Sequence, residues 1–346
     1  MKALILAGGK GSRLRPLTAT RSKQLLPVAG RPLLHYAVQA VRDAGCHEIG
    51  VIVGDTGPEI QAALGDGSAF GVSITLLHQP EPLGLAHALL VAEPFLGAQP
   101  FLMFLGDNLL QGAIAPFLQR HVRDGNAATL LLARVPDPQR FGVVEVSGER
   151  VTRLVEKPQN PASDLALTGI YLLDSRIFSA ARAIAPSPRG ELEITDALQV
   201  LVDRGEPVIG LPVQGWWKDT GKPEDLLAAN RLLLQQPTPA APAHPDIPPT
   251  NEDRLGVTVH PPCWLGPGVH LERCELGPFA SIGAGCSVVD ARVSDSIVMD
   301  HARLESVHLQ GSLIGQGARV RGAGPEGPPA RLHLGDQSVV ELPCGS

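Results

Sequence analysis

Lysine is scarce in this chain, with six residues against 23 arginines. Five of the six (Lys10, Lys23, Lys157, Lys218 and Lys222) fall in or directly beside the motifs singled out below, where a compact ammonium point charge does what a planar guanidinium fork does not. The five cysteines, Cys46, Cys263, Cys274, Cys286 and Cys344, form no C-x-x-C pair and are odd in number. They read as reduced thiols of a cytoplasmic protein, not as a disulfide frame or a zinc site. Cys263, Cys274 and Cys286 recur at spacings of 11 and 12, which fits small apolar residues stacked inside coils. No run approaches the roughly 18 consecutive apolar residues a membrane span needs. Met1-Lys2 leads straight into an apolar stretch with no signal-peptide pattern. A net charge of −6 offers no basic face for DNA or RNA. Neither nucleic acid nor membrane is expected as a partner.

What is present points to two domains in 346 residues, of which 44% are hydrophobic and 18% charged. Residues 1–235 alternate short apolar strands with helical segments, the mark of an α/β sheet with helices on both faces. Strands are expected at Ala3–Ala7, Ile49–Val53, Val72–Leu77, Phe101–Leu105, Ala127–Ala133, Leu167–Leu173 and Val208–Val213. Phe141–Val146 and Arg150–Val155 flank a Ser147-Gly148-Glu149 turn as a hairpin. Helices are expected near Leu33–Ala44, Glu59–Ala63, Leu85–Ala92, Pro116–Arg123, Ile194–Arg204 and Pro223–Leu234. Residues 235–250 hold six prolines and almost no large apolar side chain, so residues 236–255 read as a stiff linker. Beyond it the period changes. Leu265 and Leu271, then Leu276, Ile282 and Val288, and later Ile314 and Val320, stand six apart, and several are followed by glycine. That period fits a parallel β-helix over residues 256–346, with irregular coils or loops expected from about 290 to 312. Such a module packs on its neighbour or builds subunit contacts, and a homo-oligomer is expected.

The chemistry begins at Leu6-Ala7-Gly8-Gly9-Lys10-Gly11-Ser12-Arg13-Leu14-Arg15-Pro16-Leu17-Thr18. Three glycines allow a tight turn and leave no Cβ atoms in the way of a ligand, while Lys10, Arg13 and Arg15 supply positive charge. The loop is not a Walker A motif, since no Gly-Lys-Ser/Thr closes it. It is not G-x-G-x-x-G, since Leu14 stands where the last glycine would be. In open α/β sheets ligands bind beyond the carboxyl ends of strands. A second such end is loaded: Leu105-Gly106-Asp107-Asn108, where a carboxylate can bind Mg²⁺. Asp219, in Trp216-Trp217-Lys218-Asp219-Thr220-Gly221, is the other metal candidate, with Trp217 as a pocket wall. Gln79 follows a strand within His78-Gln79-Pro80-Glu81-Pro82-Leu83-Gly84. With Gln24 it offers the donor and acceptor a pyrimidine edge requires. Glu156-Lys157-Pro158 ends another strand and pairs a carboxylate for sugar hydroxyls with an ammonium for phosphate.

The run G-G-x-G-x-R-L-x-P-L-T followed by Lys23-Gln24-Leu25-Leu26-Pro27-Val28 resembles the signature of sugar-phosphate nucleotidyltransferases. Within them the chain is similar to the long form of glucose-1-phosphate thymidylyltransferases, which carries a C-terminal hexapeptide-repeat domain. The resemblance implies a Rossmann-like nucleotidyltransferase sheet followed by a left-handed parallel β-helix, and an enzyme that makes dTDP-glucose and pyrophosphate from dTTP and glucose 1-phosphate with Mg²⁺. It implies that Leu6, Gly8, Gly9, Gly11, Ser12, Arg13, Gln24, Gln79, Pro82, Gly84 and Asp107 meet the nucleotide. Leu105, Asn108, Phe141, Gly142, Glu156, Lys157, Gly169, Tyr171 and Trp217 would meet the sugar phosphate. Arg13, Lys23 and Lys157 would be catalytic, and Asp107 and Asp219 would hold the metal. Many relatives carry Tyr in place of Phe141, which removes one polar contact. Three other readings stand beside this one: UTP or another sugar phosphate on the same fold; a binding protein without turnover; and acyl transfer in the repeat domain, with His301 and His308 as bases.

Overall fold

The computed structural model describes residues 1–9, 11–236 and 256–343. Lys10, Cys344 and all but the first residue of the expected linker lie outside the described residues. The packing divides the chain differently from a boundary at 235. One compact unit is Met1–Gly9 with Leu34–Asp219, and the other is Lys10–Leu33 with Thr220–Ser346.

The first unit is built on a nine-stranded sheet. Its strands are β1 (Lys2–Leu6), β2 (Glu48–Val53), β3 (Ser73–His78), β4 (Phe101–Leu105), β6 (Ala128–Arg134), β7 (Gly142–Ser147), β8 (Arg150–Glu156), β9 (Leu165–Leu173) and β10 (Val208–Pro212). The spatial order is β3-β2-β1-β4-β9-β6-β10-β8-β7. Strands β3, β2, β1 and β4 run parallel, whereas β9 runs antiparallel between β4 and β6. The sheet is therefore mixed, with the parallel half formed by the first four strands. Both of its faces are covered. In β1, Leu4 and Leu6 join one core cluster, while Ala3 and Ile5, on the opposite face by strand alternation, are equally buried. Helices α1 (Leu33–Asp43), α2 (Gly57–Leu64), α3 (Leu85–Leu96), α4 (Ala115–Asp124), α5 (Arg176–Ala181) and α6 (Ile194–Asp203) connect the strands. Helix α3 runs past Pro94 to Leu96. A two-stranded ribbon, β5 (Asn108–Leu110) against β11 (Trp217–Asp219), stands apart from the main sheet.

The second unit contains α7 (Pro223–Leu234) and a left-handed parallel β-helix whose short strands stack in three sheets of four, five and five. The segment expected to be irregular is regular: Arg292–Ser294, Ile297–Val298 and Arg303–Glu305 each pair in register with the coils on either side, and His308–Gln310 pairs with Arg292–Ser294 and bridges to Ala330 at Leu309. Inward residues Leu276, Ile282, Val288, Val293, Val298, Leu304, Leu309, Ile314 and Val320 follow one another at intervals of six, six, five, five, six, five, five and six. The five-residue faces erase a six-residue period without breaking the coil. Asp290, Asp295, His301 and Ser306 take up positive φ of 47°, 48°, 60° and 53° in this stretch, where the chain turns from one face to the next. His301 and His308 belong to these regular coils, and His308 Nδ1 lies 2.8 Å from the Gly327 carbonyl.

The cysteines of the coils pack as the spacing implies. Cys274 and Cys286 are 4% and 1% exposed within the coil core. Burial disfavours the thiolate and pushes both pKa values up to about 11. At pH 8 an ordinary thiol, with a pKa of about 8.5, is partly ionised and reacts. Cys274 and Cys286 are expected to resist a disulfide-forming reagent at that pH in the native protein and to react at once in denaturant, as a timed thiol titration would show.

Candidate active site

The carboxyl ends of β1, β3, β4 and β8 carry most of the predicted side chains of the first unit. After β1 the chain continues to Gly8 and Gly9. An ideal Cβ on Gly8 would lie 3.6 Å from the Gly54 amide nitrogen and 3.7 Å from Gln79 Oε1, so the bare glycine leaves that amide oxygen uncovered. Gln79 itself is fixed. Its Nε2 donates to the Gly84 carbonyl at 3.2 Å and to His87 Nδ1 at 2.9 Å. Both contacts take the donor side of the amide, and Oε1 is turned toward Gly8. Gly84 has φ of +103°, and a Cβ there would come within 2.4 Å of the Leu192 carbonyl. Only glycine fits, because the loop is held to Leu192 by Leu192 N–H to Leu83 O and Ala86 N–H to Leu192 O. Pro82 is exposed beside it.

The two proposed metal ligands come together through the ribbon. Asp107 directly precedes β5, and the register of β5 on β11 sets Asn108 opposite Asp219. Strand β5 follows β4 by two residues, so both carboxylates lie near the end of β4. Both are half-buried. Asp219 Oδ2 lies 3.9 Å from Arg140, whose other guanidinium nitrogen bonds Asp137 at 2.7 Å. Trp217, two residues before Asp219, meets Phe141 edge to face at 5.4 Å, and Arg140 lies over the Phe141 ring, 5.4 Å from its centre. Two buried polar atoms here have no protein partner, Asn108 Oδ1 and Trp217 Nε1. Asn108 Nδ2 donates to the Thr168 carbonyl at 2.8 Å. Gly169, at φ +78°, makes room for it, since a Cβ there would lie 2.4 Å from that nitrogen and 2.5 Å from a Leu105 methyl.

At the end of β8, Glu156 is gripped on both oxygens. Oε2 accepts from Thr195 Oγ1 at 2.7 Å, while Oε1 is 3.0 Å from Lys157 Nζ and 3.1 Å from Arg189 Nη2. Lys157 has φ of +42°, a conformation disfavoured for a side-chain-bearing residue. Its N–H is tied to the Phe141 carbonyl at 3.0 Å. Gly142 lies under the carboxylate: a Cβ there would be 2.9 Å from Thr195 Oγ1 and 3.2 Å from Glu156 Oε2. Arg189 also bonds Glu193 at 2.8 Å. Burial raises the Asp196 pKa, and the charges of Glu193 and Glu156 push it the same way. Tyr171 is buried in the core, and burial, with the Glu156 charge behind it, raises its phenol pKa. Arg140 and Arg189 escaped the sequence reading. Both sit in proline-bearing loops whose spacing carries no signal of a pocket.

Gly11, Ser12, Arg13, Lys23 and Gln24 belong to the second unit. Gly11, at φ +59°, passes so close to Lys23 that a Cβ would lie 2.9 Å from the lysine Cβ, and its carbonyl accepts from Thr18 Oγ1 at 2.8 Å. Ser12–Leu14 and Lys23–Leu25 are single 3₁₀ turns. Ser12 and Arg13 are exposed. Lys23 and Gln24 are 6% and 3% exposed, and Gln24 Oε1 accepts from Ser22 Oγ at 2.7 Å.

Glycine-lined strand ends, two half-buried aspartates and a gripped Glu-Lys pair stand at the strand ends of a mixed α/β sheet, where enzymes of this class bind their ligands. The family model described as nucleotidyl transferase matches residues 2–236, and the chain belongs to that family. It is similar along its whole length to a glucose-1-phosphate thymidylyltransferase of Streptomyces griseus, 44% identical over 357 residues with 99% of each chain covered. A solved glucose-1-phosphate thymidylyltransferase of Bacillus anthracis, in complex with sucrose, superposes with a TM-score of 0.64 at 39% identity, over 67% of this chain and 94% of that one. A UDP-glucose pyrophosphorylase solved with UDP-glucose gives 0.61 at 25% identity, over 67% and 97%. The kinship expected from the glycine-rich signature holds, and the protein is a nucleotidyltransferase. Among the described residues no helix is long and apolar enough to cross a membrane.

Proposed function

We propose that the enzyme joins glucose 1-phosphate to dTTP, releasing pyrophosphate, by direct in-line attack of the sugar phosphate on the α-phosphorus. The observation that best supports this reading is the register of β5 on β11, which sets Asn108, the residue after Asp107, opposite Asp219. Two carboxylates suit Mg²⁺, which is commonly held by one or two carboxylates and completed by water and substrate phosphates. When bound, the ion would neutralise phosphate charge and ease departure of pyrophosphate.

The attacking oxygen needs no general base. A phosphate monoester has a second pKa of about 6 and is ionised at neutral pH. Repulsion is the obstacle: two like unit charges at about 4 Å cost about 4 kcal/mol at an effective dielectric near 20, and two polyanions present several such pairs. Arg13 and Lys23 would offset the nucleotide's charge, and Lys157 would hold the sugar phosphate while Glu156 accepts sugar hydroxyls. Asn108 Oδ1 and Trp217 Nε1, buried and unpaired, would gain partners from the sugar. Gln79 Oε1, facing Gly8, would accept from the ring N–H of the pyrimidine.

Gln79 as a reader of the ring N–H serves thymine and uracil alike, and the likeness to a UDP-glucose pyrophosphorylase favours UTP as the second reading. A methyl pocket alone separates the two bases by about 1–3 kcal/mol. Radiolabelled pyrophosphate exchange across dTTP, UTP, ATP, CTP and GTP, each paired with several sugar 1-phosphates, is expected to give its highest kcat/KM with dTTP and glucose 1-phosphate. A maximum with UTP would replace the first reading by the second, and no exchange with any pair would overturn both.

A further inference from the structure

The second unit contains a contact that links its signature loop to the last coils of its β-helix. Asp336 follows Leu334-Gly335 at a coil turn, and its two carboxylate oxygens do different work. Oδ1 accepts from the Gln316 N–H of the preceding coil at 2.8 Å. Asp300 uses its own Oδ1 in the same way two coils earlier, on Ala284 N–H at 2.8 Å. This is the stacking role of an aspartate at such a turn. Oδ2 is occupied otherwise: it accepts from Thr20 Oγ1 at 2.7 Å and from Arg21 Nη2 and Nε at 2.9 and 3.2 Å. Arg21 Nη2 also donates to Gln316 Oε1 at 2.6 Å. The pair is well shielded, with side chains 19% and 13% exposed, so solvent screens it less than a surface ion pair. Beside it, Gly335 lies so close to Pro16 that an added Cβ would come within 3.0 Å of the Pro16 carbonyl.

The far end of the loop is fixed as well. Asn230, fully buried in α7, accepts from the Ala29 N–H at 2.9 Å and from Ser281 Oγ at 2.7 Å, and donates to the Phe279 carbonyl at 3.1 Å. The Trp264 indole covers Gly30, where a Cβ would lie 2.0 Å from the ring. Lys23 and Gln24 therefore sit between two anchors, and Arg13 lies just before the first.

We infer that the β-helix is a positioning device for the nucleotidyl-transfer loop, with Arg21, Gln316 and Asp336 as positioning residues that hold Arg13 and Lys23 ready for a nucleotide triphosphate. The inference rests on the proposed role of those two cations. Fixing a loop in its working geometry before the ligand arrives removes an ordering cost from binding. The loop-facing carboxylate oxygen of Asp336 is the part of the coil turn that stacking does not need.

Two variants of the full-length chain separate the roles. Asp336→Asn keeps an oxygen for the Gln316 N–H and replaces the loop-facing oxygen by a donor that opposes Arg21. Arg21→Ala removes the loop's side without touching the coil. Amide exchange reads the loop through Leu17, Ala19 and Leu25, whose N–H groups close turns on Leu14, Pro16 and Ser22. It reads the coil through Leu313 and Gly315, whose N–H groups bond Leu332 and Leu334. In both variants the loop amides are expected to exchange at least tenfold faster with the coil amides unchanged, and the KM for nucleotide to rise about tenfold with the KM for sugar phosphate within twofold. Arg21→Lys should recover part of each effect. Unchanged loop exchange, faster exchange with an unaltered nucleotide KM, or loss of coil protection in Asp336→Asn would each overturn the proposal. If the wild-type enzyme turns over no nucleotide, the functional reading fails by itself, and amide exchange alone decides whether the coil holds the loop.

Discussion

Asp107→Asn and Asp219→Asn are each expected to lower kcat by about 100- to 1000-fold, with thermal unfolding shifted by no more than a few degrees. The two quantities separate because they draw on different parts of these side chains. An amide keeps the size of a carboxylate, and both residues are half-buried at strand ends, outside the packed core. The contact of Asp219 with Arg140 at 3.9 Å is too long for a hydrogen bond, and Arg140 retains Asp137 at 2.7 Å. Losing a partly exposed ion pair of that kind costs about 1 kcal/mol or less. In the proposed mechanism, loss of a negatively charged metal ligand would act on the reacting phosphates, where a 1000-fold drop corresponds to about 4 kcal/mol of barrier. Activity should therefore fall long before stability does. Raising the magnesium concentration should recover part of the rate in either variant, since a neutral ligand weakens the site without closing it. Steady-state pyrophosphate release beside a circular-dichroism melt measures both quantities, and full magnesium-dependent turnover in both variants would remove the pair from the mechanism.

The pairing behind that prediction could not be read from the sequence. Asn108 and Asp219 are far apart in the chain, and each ribbon strand has three residues, too short for any periodicity to declare itself. Longer elements were legible because apolar runs ended at glycine, proline or a charge. Phe101–Leu105 and Pro223–Leu234 fall where expected to the residue. Helix α3 extends beyond its expected end at Ala92, through Pro94 to Leu96. In the structure that proline lies in the last turn, where one lost N–H bond is tolerated and Phe95 and Leu96 still bury. Helix α5 has six residues and shows no period of its own. In the β-helix, the six-residue spacing of large aliphatic residues is plain in the outer coils and lost in the middle. There the faces shorten to five and Ala291 and Ala302 fill inward positions.

The site divides along the same line. Side chains that follow a strand directly, such as Asp107, Gln79 and Glu156, were visible as polar residues ending an apolar run. Those brought in by long-range packing were not: Arg189 on Glu156, Arg140 beside Asp219, and Asp336 on Arg21, which is 315 residues away in sequence. The resemblance to nucleotidyltransferases supplied residue identities, but it carried no information about which cations lean on which carboxylates.

Glu156→Gln is the substitution for which that last distinction decides the outcome. Glu156 Oε1 lies between Lys157 Nζ at 3.0 Å and Arg189 Nη2 at 3.1 Å. A neutral amide removes the charge that holds both cations and presents a donor where at least one of them donates. Hydrogen bonds to charged groups contribute about 1.5–3 kcal/mol each. With the sugar phosphate proposed to rest on Lys157 and its hydroxyls on Glu156, its KM should rise by about 10- to 100-fold, equivalent to about 1.4–2.7 kcal/mol. The KM for nucleotide should stay within twofold. A second effect tests the electrostatics without any turnover. Asp196 has a raised pKa, from burial first and then from the charges of Glu193 and Glu156. Removing one of those negative neighbours makes ionisation easier, so the Asp196 pKa should fall in the variant and its carboxylate should form at lower pH, as a carbon-detected NMR titration of that side chain would record. A Glu156 that only braces Thr195 and the hairpin would lower the melting temperature and leave the sugar-phosphate KM alone. The charge-linked assignment requires both the KM and the Asp196 titration to move, each in the direction given.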